Sequence, residues 1–197
     1  MSSLTMQGSS PTAAQPGCTL VDLSELPRVG FRGVDASAYL LARGFVLPDA
    51  PNRAVTQADG CHVARLSQTE YLILGSLVDG GERIAAEEAR WAMDHSANYL
   101  LPRQDSHAWL QLRGNPIAEV MAKLCGVDLR AQAFPVGAVA QTSAARINVI
   151  VINLGSTSTP TFQVLCDRAS LAYFMGAMLD AMGEFAGTLL GIDASRA

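Results

Sequence analysis

A strand that ends at an Arg-Gly pair and leads into a helix occurs twice in this chain, and this duplication constrains the fold more than any other feature. The first copy ends at Arg32-Gly33 and the second at Arg113-Gly114. Glycine is among the strongest local markers of a strand end or a turn. A duplicated unit of this kind predicts a molecule built from two similar halves.

The residues after each glycine predict a helix. In the first copy Asp35 is the expected N-cap of a helix over residues 36–43, and Gly44 is its stop. In the second copy Asn115 is the expected cap, and Pro116 occupies the first turn. Apolar residues then follow at helical spacing, namely Ile117, Val120, Met121 and Leu124.

Each copy continues with two further strands and a second helix. We expect these at residues 62–66, 70–74 and 82–97, and again at residues 145–154, 161–166 and 170–190. The chain therefore has the order strand, helix, strand, strand, helix twice. This order predicts an α+β fold in which antiparallel sheets carry helices on one face.

The predicted organisation is a single domain over residues 19–197, with its two fused halves at residues 19–100 and 101–197. Residues 1–18 are rich in Ser, Thr, Gly, Pro and Gln. Such a segment is typical of a flexible N-terminal arm, or of an extended segment that lies on a partner.

The predicted last helix, residues 170–190, allows two interpretations. It carries a stripe of large apolar residues, with Gly183, Gly187 and Gly191 at every fourth position on other faces. In one interpretation the helix lies inside the core. In the other, its glycine edge docks closely on another subunit, since only close packing recovers the helix propensity that glycine loses.

Composition excludes several classes of protein. Hydrophobic residues make up 49% of the chain and charged residues only 16%, with a net charge of -4. The sequence has no run of about 20 apolar residues, the length that a membrane-spanning helix needs. Its composition is too apolar for a disordered chain. The 14 basic residues, of which Lys123 is the sole lysine, are outnumbered by 18 acidic residues, and this balance does not resemble a basic nucleic-acid footprint. One explanation for so little charge is that something else covers part of the surface.

The four cysteines are far apart in sequence and form no CxxC pair. We expect reduced thiols, at least two of them in the core, in a cytoplasmic protein. The N-terminus shows no secretory signal pattern.

The sequence contains no GxSxG, GxGxxG, Walker or HExxH motif. His62 follows Cys61, but neighbouring strand residues point to opposite faces. His95 is expected to be solvated. His107 ends a polar segment, residues 103–107, that either faces a ligand or partner or is structural.

Arg32 and Arg113 allow two interpretations: each holds a carboxylate or phosphate, or pairs with a nearby acid or carbonyl. From these residues we predict no catalytic, cofactor-binding or metal site.

Several segments, taken in order, resemble the aminomethyltransferase-like folate-binding fold. In the first half they are residues 20–24, 29–36, 60–66 and 70–74. The second-half segments are similar to one branch of that fold, the gamma subunit of heterotetrameric sarcosine oxidase and its relatives. They are residues 105–114, 126–129, 134–137, 141–142 and 167–173.

The resemblance implies a noncatalytic, structural gamma-type subunit of a flavoenzyme complex that oxidatively demethylates an N-methyl amino acid. Its partners would be alpha-, beta- and delta-type subunits, with no nucleic acid or membrane partner. Those subunits are expected to carry FAD, FMN, NAD, tetrahydrofolate and zinc, and this chain none.

Two departures mark a divergent member. Cys61-His62 follows the Asp59-Gly60 turn, where folate-using members of the fold have an acidic residue, and Gln104-Asp-Ser precedes His107. The alternative function is a stand-alone folate-binding protein of the aminomethyltransferase type. A homo-oligomeric α+β binding module is a third.

Overall fold

The computed structural model describes residues 17–156 and 158–192, which form eleven β-strands and four α-helices. The strands are β1 (Thr19–Asp22), β2 (Arg28–Arg32), β3 (Arg53–Thr56), β4 (His62–Arg65), β5 (Glu70–Leu74), β6 (Tyr99–Pro102), β7 (His107–Arg113), β8 (Val139–Ala144), β9 (Ile147–Asn153), β10 (Thr161–Asp167) and β11 (Thr188–Leu190). The helices are α1 (Ala36–Ala42), α2 (Glu82–Arg90), α3 (Ile117–Ala122) and α4 (Leu171–Met182).

The strands form two sheets. The five-stranded sheet has the order β3-β4-β5-β2-β6, and the six-stranded sheet has the order β11-β1-β7-β10-β9-β8. Among these described strands every neighbouring pair is antiparallel except β1 and β11, which are parallel. The predicted α+β class with antiparallel sheets is confirmed.

Helices cover one face of each sheet, and the other two faces pack on each other. Leu40 of α1 and Ile84 of α2 lie in the cluster on the outer face of the five-stranded sheet. Val120 of α3 and Phe174 of α4 lie in the cluster on the outer face of the six-stranded sheet. Strand residues of both sheets, including Trp109, form a third cluster between the sheets. Alternation along the strands supplies both faces with apolar side chains.

The two halves exchange strands. β1 precedes β2 in sequence but pairs with β7 in the six-stranded sheet, whereas β6 precedes β7 and pairs with β2 in the five-stranded sheet. The registers correspond, because Thr19 lies opposite Arg113 and Tyr99 lies opposite Arg32. The duplication in the sequence is thus a structural duplication, interlocked by β1 and β6.

One of the two predicted helix caps is confirmed in position. Asp35 holds the N-cap position of α1, although its side chain accepts a hydrogen bond from the amide of Ala97, at 2.7 Å, and none from an amide of the helix. The strand exchange explains this, since the chain before β6 passes over Gly33. Pro116, rather than Asn115, holds the N-cap position of α3, with no side-chain cap bond.

The second helix of each half is shorter than predicted. α2 ends at Arg90, and the chain to β6 is irregular. α4 ends at Met182, followed by a 3₁₀ turn over Gly183–Phe185 and by β11. Ala186 adopts a left-handed conformation with φ of 51° and redirects the chain to β1. The regularly spaced glycines therefore do not form one helix edge.

All four cysteines are free and buried, where the sequence predicts reduced thiols with at least two of them in the core. Cys18 lies in the core although the predicted arm includes it; residues 1–16 of that arm lie outside the described residues. The division into an arm and one domain of two halves stays a prediction. Within the described ranges no helix has the length and apolar character needed to cross a membrane.

Candidate functional site

Arg28, the first residue of β2, is fully buried and joins the connections that carry the exchanged strands. Its Nε donates to the carbonyl of His107, at 2.9 Å. Nη1 donates to the carbonyls of Ser24 and Leu26, at 3.0 and 2.8 Å, and Nη2 to that of Gln104, at 3.1 Å. Because main-chain acceptors engage all three nitrogens, the guanidinium is committed to structure rather than to a ligand.

Arg168, just after β10, reaches the same two connections. Its Nη1 donates to the carbonyls of Ser24 and Gln104, at 3.3 and 3.0 Å, and its Nη2 lies 3.1 Å from a carboxylate oxygen of Glu25. Burial, followed by the nearby charge of Arg168, lowers the pKa of Arg28 to about 10. Arg28 therefore remains cationic at neutral pH.

His107 lies at the other side of this arginine cluster. Its Nδ1 is 2.8 Å from the hydroxyl of Ser106, and its Nε2 is 3.4 Å from Arg103. Arg103 in turn donates to Glu70, at 2.6 Å. Burial, then the charges of Arg103 and Arg28, lowers the pKa of His107 to about 4. The imidazole is thus neutral and only weakly basic at pH 7, which does not suit general acid–base catalysis.

His107 also lines an open pocket of about 330 Å³. Its other lining residues are Gln141, Thr142, Asn148, Val149, Ile150 and Leu165. The amide of Gln141 is already used, because it donates to Asn52 and to the carbonyl of Leu66, at 2.9 and 2.7 Å. None of the described residues that line the pocket carries a charge at neutral pH, so the pocket provides little with which to orient a polar substrate.

Cys61 and His62 do not form a catalytic pair. Cys61 is buried against the helices of the first half, whereas His62 Nδ1 lies 3.0 Å from the hydroxyl of Thr56 on the neighbouring strand. Burial and the carboxylate of Asp59 raise the pKa of Cys61 to about 12. Since the thiolate is the nucleophilic form, Cys61 is inert at neutral pH.

Asp59 is held by an ion pair with Arg83, whose guanidinium also lies 4.2 Å from the ring centroid of Phe45. Burial would raise the pKa of Asp59, but hydrogen bonds from Arg83 and Cys61 lower it to about 2. The acid of this turn is therefore ionised and used inside the fold.

The remaining candidates are far from one another in the fold. His95 is exposed between α2 and β6. The guanidinium of Arg32 lies 3.9 Å from the carboxylate of Glu70, which agrees with the interpretation that it pairs with a nearby acid. Arg113 makes no ion pair with a described residue. In the described part of the chain no three His, Cys, Asp or Glu residues come together in an arrangement that could hold a metal ion. That the chain has no catalytic, cofactor or metal residues stays a prediction.

Sequence reasoning missed the arginine cluster. The sequence holds one indication of it, the position of Arg28 in the predicted strand. Val29 and Phe31 lie in the outer cluster, and strand alternation therefore places Arg28 on the opposite face of the sheet. Its acceptors are carbonyl groups of two connections, which carry no side-chain pattern.

The outer edge of β6 is a second feature that the sequence analysis did not predict. β6 is the last strand of the five-stranded sheet, and no described residue pairs with its outer side. Tyr99, within β6, is 51% exposed. We call the outer side of β6 the β6 edge.

Comparison with known proteins identifies relatives over most of the chain. No protein-family model matches. The sarcosine oxidase subunit gamma of Corynebacterium sp. strain U-96 is 28% identical over 88% of this chain and 83% of its own length. The subunit of the same name from an Arthrobacter species is 30% identical over 85% of this chain and 81% of its own length.

Two solved structures share the fold. A chain of the heterotetrameric sarcosine oxidase of Corynebacterium sp. U-96, in complex with pyrrole 2-carboxylate, superposes with a TM-score of 0.68 at 24% identity, over 86% of this chain and 85% of that chain. Aminomethyltransferase T of the glycine cleavage system from Bartonella henselae superposes with a TM-score of 0.62 at 13% identity, over 90% of this chain but 48% of that chain.

Proposed function

The chain belongs to the sarcosine oxidase subunit gamma family, and we propose that it is the noncatalytic gamma-type subunit of a flavoenzyme complex that oxidatively demethylates an N-methyl amino acid. The relatives support this proposal because they carry the subunit gamma name and match over more than four fifths of their length. In this proposal alpha-, beta- and delta-type chains in the cytoplasm supply the flavin, dinucleotide, folate and zinc sites.

The observation that carries the noncatalytic role is the commitment of the buried and half-buried polar groups to structure. The nitrogens of Arg28 are bonded to main-chain carbonyls, and Asp59 is paired with Arg83. The pKa of His107 is too low, at about 4, and the pKa of Cys61 is too high, at about 12, for acid–base or nucleophilic work near pH 7. These groups stabilise a scaffold that another chain can use.

Purification of the tagged full chain from its source cells tests the proposal. We expect larger chains to co-purify with it in a fixed ratio, with a flavin absorbance spectrum and oxidase or dehydrogenase activity on an N-methyl amino acid. A chain that remains a stable monomer, with no flavin-bearing partner, would contradict the proposal.

Calorimetry with tetrahydrofolate separates this function from the alternative. The side chain of Asp59 is engaged by Arg83, and the backbone amide of Cys61 is bonded to Asp59 at 3.1 Å. We therefore expect no heat of binding to the isolated chain. Micromolar binding there would favour a stand-alone folate-binding protein instead.

A further inference from the structure

β1 and β6 occupy equivalent places in the two sheets. Each runs antiparallel to the strand that ends in Arg-Gly, with Thr19 opposite Arg113 and Tyr99 opposite Arg32. The registers then continue residue by residue, so that Leu20 corresponds to Leu100.

The chain enters both strands in the same way. A Cβ at Gly33 would lie 1.8 Å from the carbonyl oxygen of Ala97, two residues before β6. A Cβ at Gly114 would lie 2.9 Å from the carbonyl oxygen of Gly17, two residues before β1. Each incoming segment crosses the glycine that ends its partner strand, so the equivalence of β1 and β6 rests on backbone contacts as well as on register.

The two strands differ in what covers their outer sides. β11 pairs in parallel with β1, with Thr188 opposite Thr19 and Leu190 opposite Val21. No described residue takes the corresponding place beside β6. By the correspondence of registers, that place is opposite residues 99–101.

The sequence of β6 leaves this edge unprotected. Its residues are Tyr-Leu-Leu-Pro, with none of the charged side chains that commonly block edge pairing. Pro102 has no amide hydrogen to donate to an added strand. It corresponds to Asp22 of β1, however, and β11 pairs only with the residues of β1 that precede Asp22. Tyr99 is 51% exposed and is followed by two leucines, so an arriving segment would meet apolar side chains there.

The geometry points to the β6 edge as a docking site for a short, extended, apolar segment of another subunit, which adds to the five-stranded sheet parallel to β6 as β11 adds to β1. This inference rests on the proposed function, since it assigns one surface of the subunit to its larger partners. Addition of a strand to a sheet edge is a recurrent mode of recognition, in which main-chain hydrogen bonds supply affinity.

The parallel direction favours a different chain over a second copy of this one. Two copies that join the same edge strand across a twofold axis place the two strands antiparallel. In the six-stranded sheet, however, the equivalent place is filled by β11, which runs parallel to its neighbour. A partner segment of different sequence meets this requirement without a symmetry axis.

Hydrogen–deuterium exchange on the full chain, alone and in the complex purified from source cells, tests the inference. In the complex we expect exchange within residues 99–101 to slow by about tenfold or more at the amides that face away from β2, since bonded edge amides exchange only through local opening. Amides of β1, paired on both sides, are the internal control and should change little. If flavin-bearing chains co-purify but residues 99–101 exchange as fast as in the free chain, the inference is wrong while the proposed function stands.

A chain without residues 1–16 tests whether this chain's own N-terminus fills the edge. Equal exchange at residues 99–101 with and without that segment supports a partner segment; faster exchange after its removal overturns the inference.

Photo-crosslinking from Tyr99→p-benzoylphenylalanine, with Val78→p-benzoylphenylalanine as surface control, identifies the occupant. An adduct specific to position 99 on one segment of a larger chain is expected, and an adduct on a second copy contradicts the inference. Absence of any flavin-bearing partner would overturn both proposals.

Discussion

The guanidinium of Arg28 donates to the carbonyl oxygen of His107, which lies 79 residues further along the chain. The first residue of β2 is thereby tied to the first residue of β7, where the two copies of the duplicated unit begin. Ser24 and Gln104, whose carbonyls also accept from Arg28, belong to the connections that lead out of β1 and β6. One buried cation thus holds the strand exchange in place.

Arg28→Met is expected to destabilise the chain strongly. Methionine fills a similar volume but donates no hydrogen bonds, so the carbonyls of Ser24 and Leu26, in buried hydrogen bonds, and that of Gln104, in a partly buried one, each lose a donor. We expect the free energy of unfolding to fall by about 3 kcal/mol or more, measured by urea denaturation. Arg32→Met is the matched control: Arg32 is 66% exposed, and a change within about 0.5 kcal/mol is expected. Equal losses in both variants would contradict a special role for Arg28.

Gly33→Ala is expected to prevent or severely impair folding. The added Cβ would lie 1.8 Å from the carbonyl oxygen of Ala97, and Gly33 has φ of 140°, which alanine rarely adopts. Gly114→Ala meets Cys18 at 2.9 Å with a similar φ, so it should also destabilise the chain but less severely. Gly126→Ala has open space and is the control. Thermal unfolding should rank Gly33→Ala lowest and Gly126→Ala closest to the native chain.

Local patterns in the sequence predict the elements around the duplicated unit but not the exchange between its copies. The strand predicted over residues 70–74 is observed at Glu70–Leu74. It could be predicted because its apolar side chains form a pattern within the segment itself. β1, β6 and β11 have three or four residues each, and their pairing depends on contacts between distant segments. The predicted helix over residues 170–190 shows the same limit. Its end, Thr188–Leu190, forms a strand that pairs with β1, because glycine weakens the helix propensity of this segment and β1 offers main-chain hydrogen bonds.

The candidate site shows a similar division. The opposite orientation of Cys61 and His62 follows from strand alternation, so the sequence predicts it correctly. The pairing of Asp59 with Arg83 joins a turn to a helix 24 residues later, and nothing in the local pattern indicates it. Ion pairs between residues that are distant in sequence could be identified only from the structure.

The four cysteines are expected to be unreactive in the native chain. All four are buried, and burial raises the pKa of Cys18, Cys61 and Cys166. Titration with a chromogenic disulfide reagent at pH 8 should detect little thiol in native protein and all four thiols in denaturant. Val78→Cys places a thiol at a position that is 87% exposed, and it should add one equivalent that reacts at once. Rapid reaction of a native thiol would contradict the packing described for Cys18 and Cys61.

Acidification is expected to destabilise the chain through His107 and His62. Burial lowers the pKa of each from 6.5 to about 4 in the folded state, so both imidazoles are neutral when folded at pH 5 to 6 and largely protonated when unfolded. The unfolded state therefore binds more protons in this window, and stability must fall as the pH decreases from 6.5 towards 4. The urea midpoint, measured at several pH values, should show this decline. His107→Gln should make the decline shallower, because glutamine does not titrate, whereas His95→Gln, at an exposed position, should leave the slope unchanged. A decline of equal steepness in the native chain and in His107→Gln would contradict the burial of a neutral imidazole at this position.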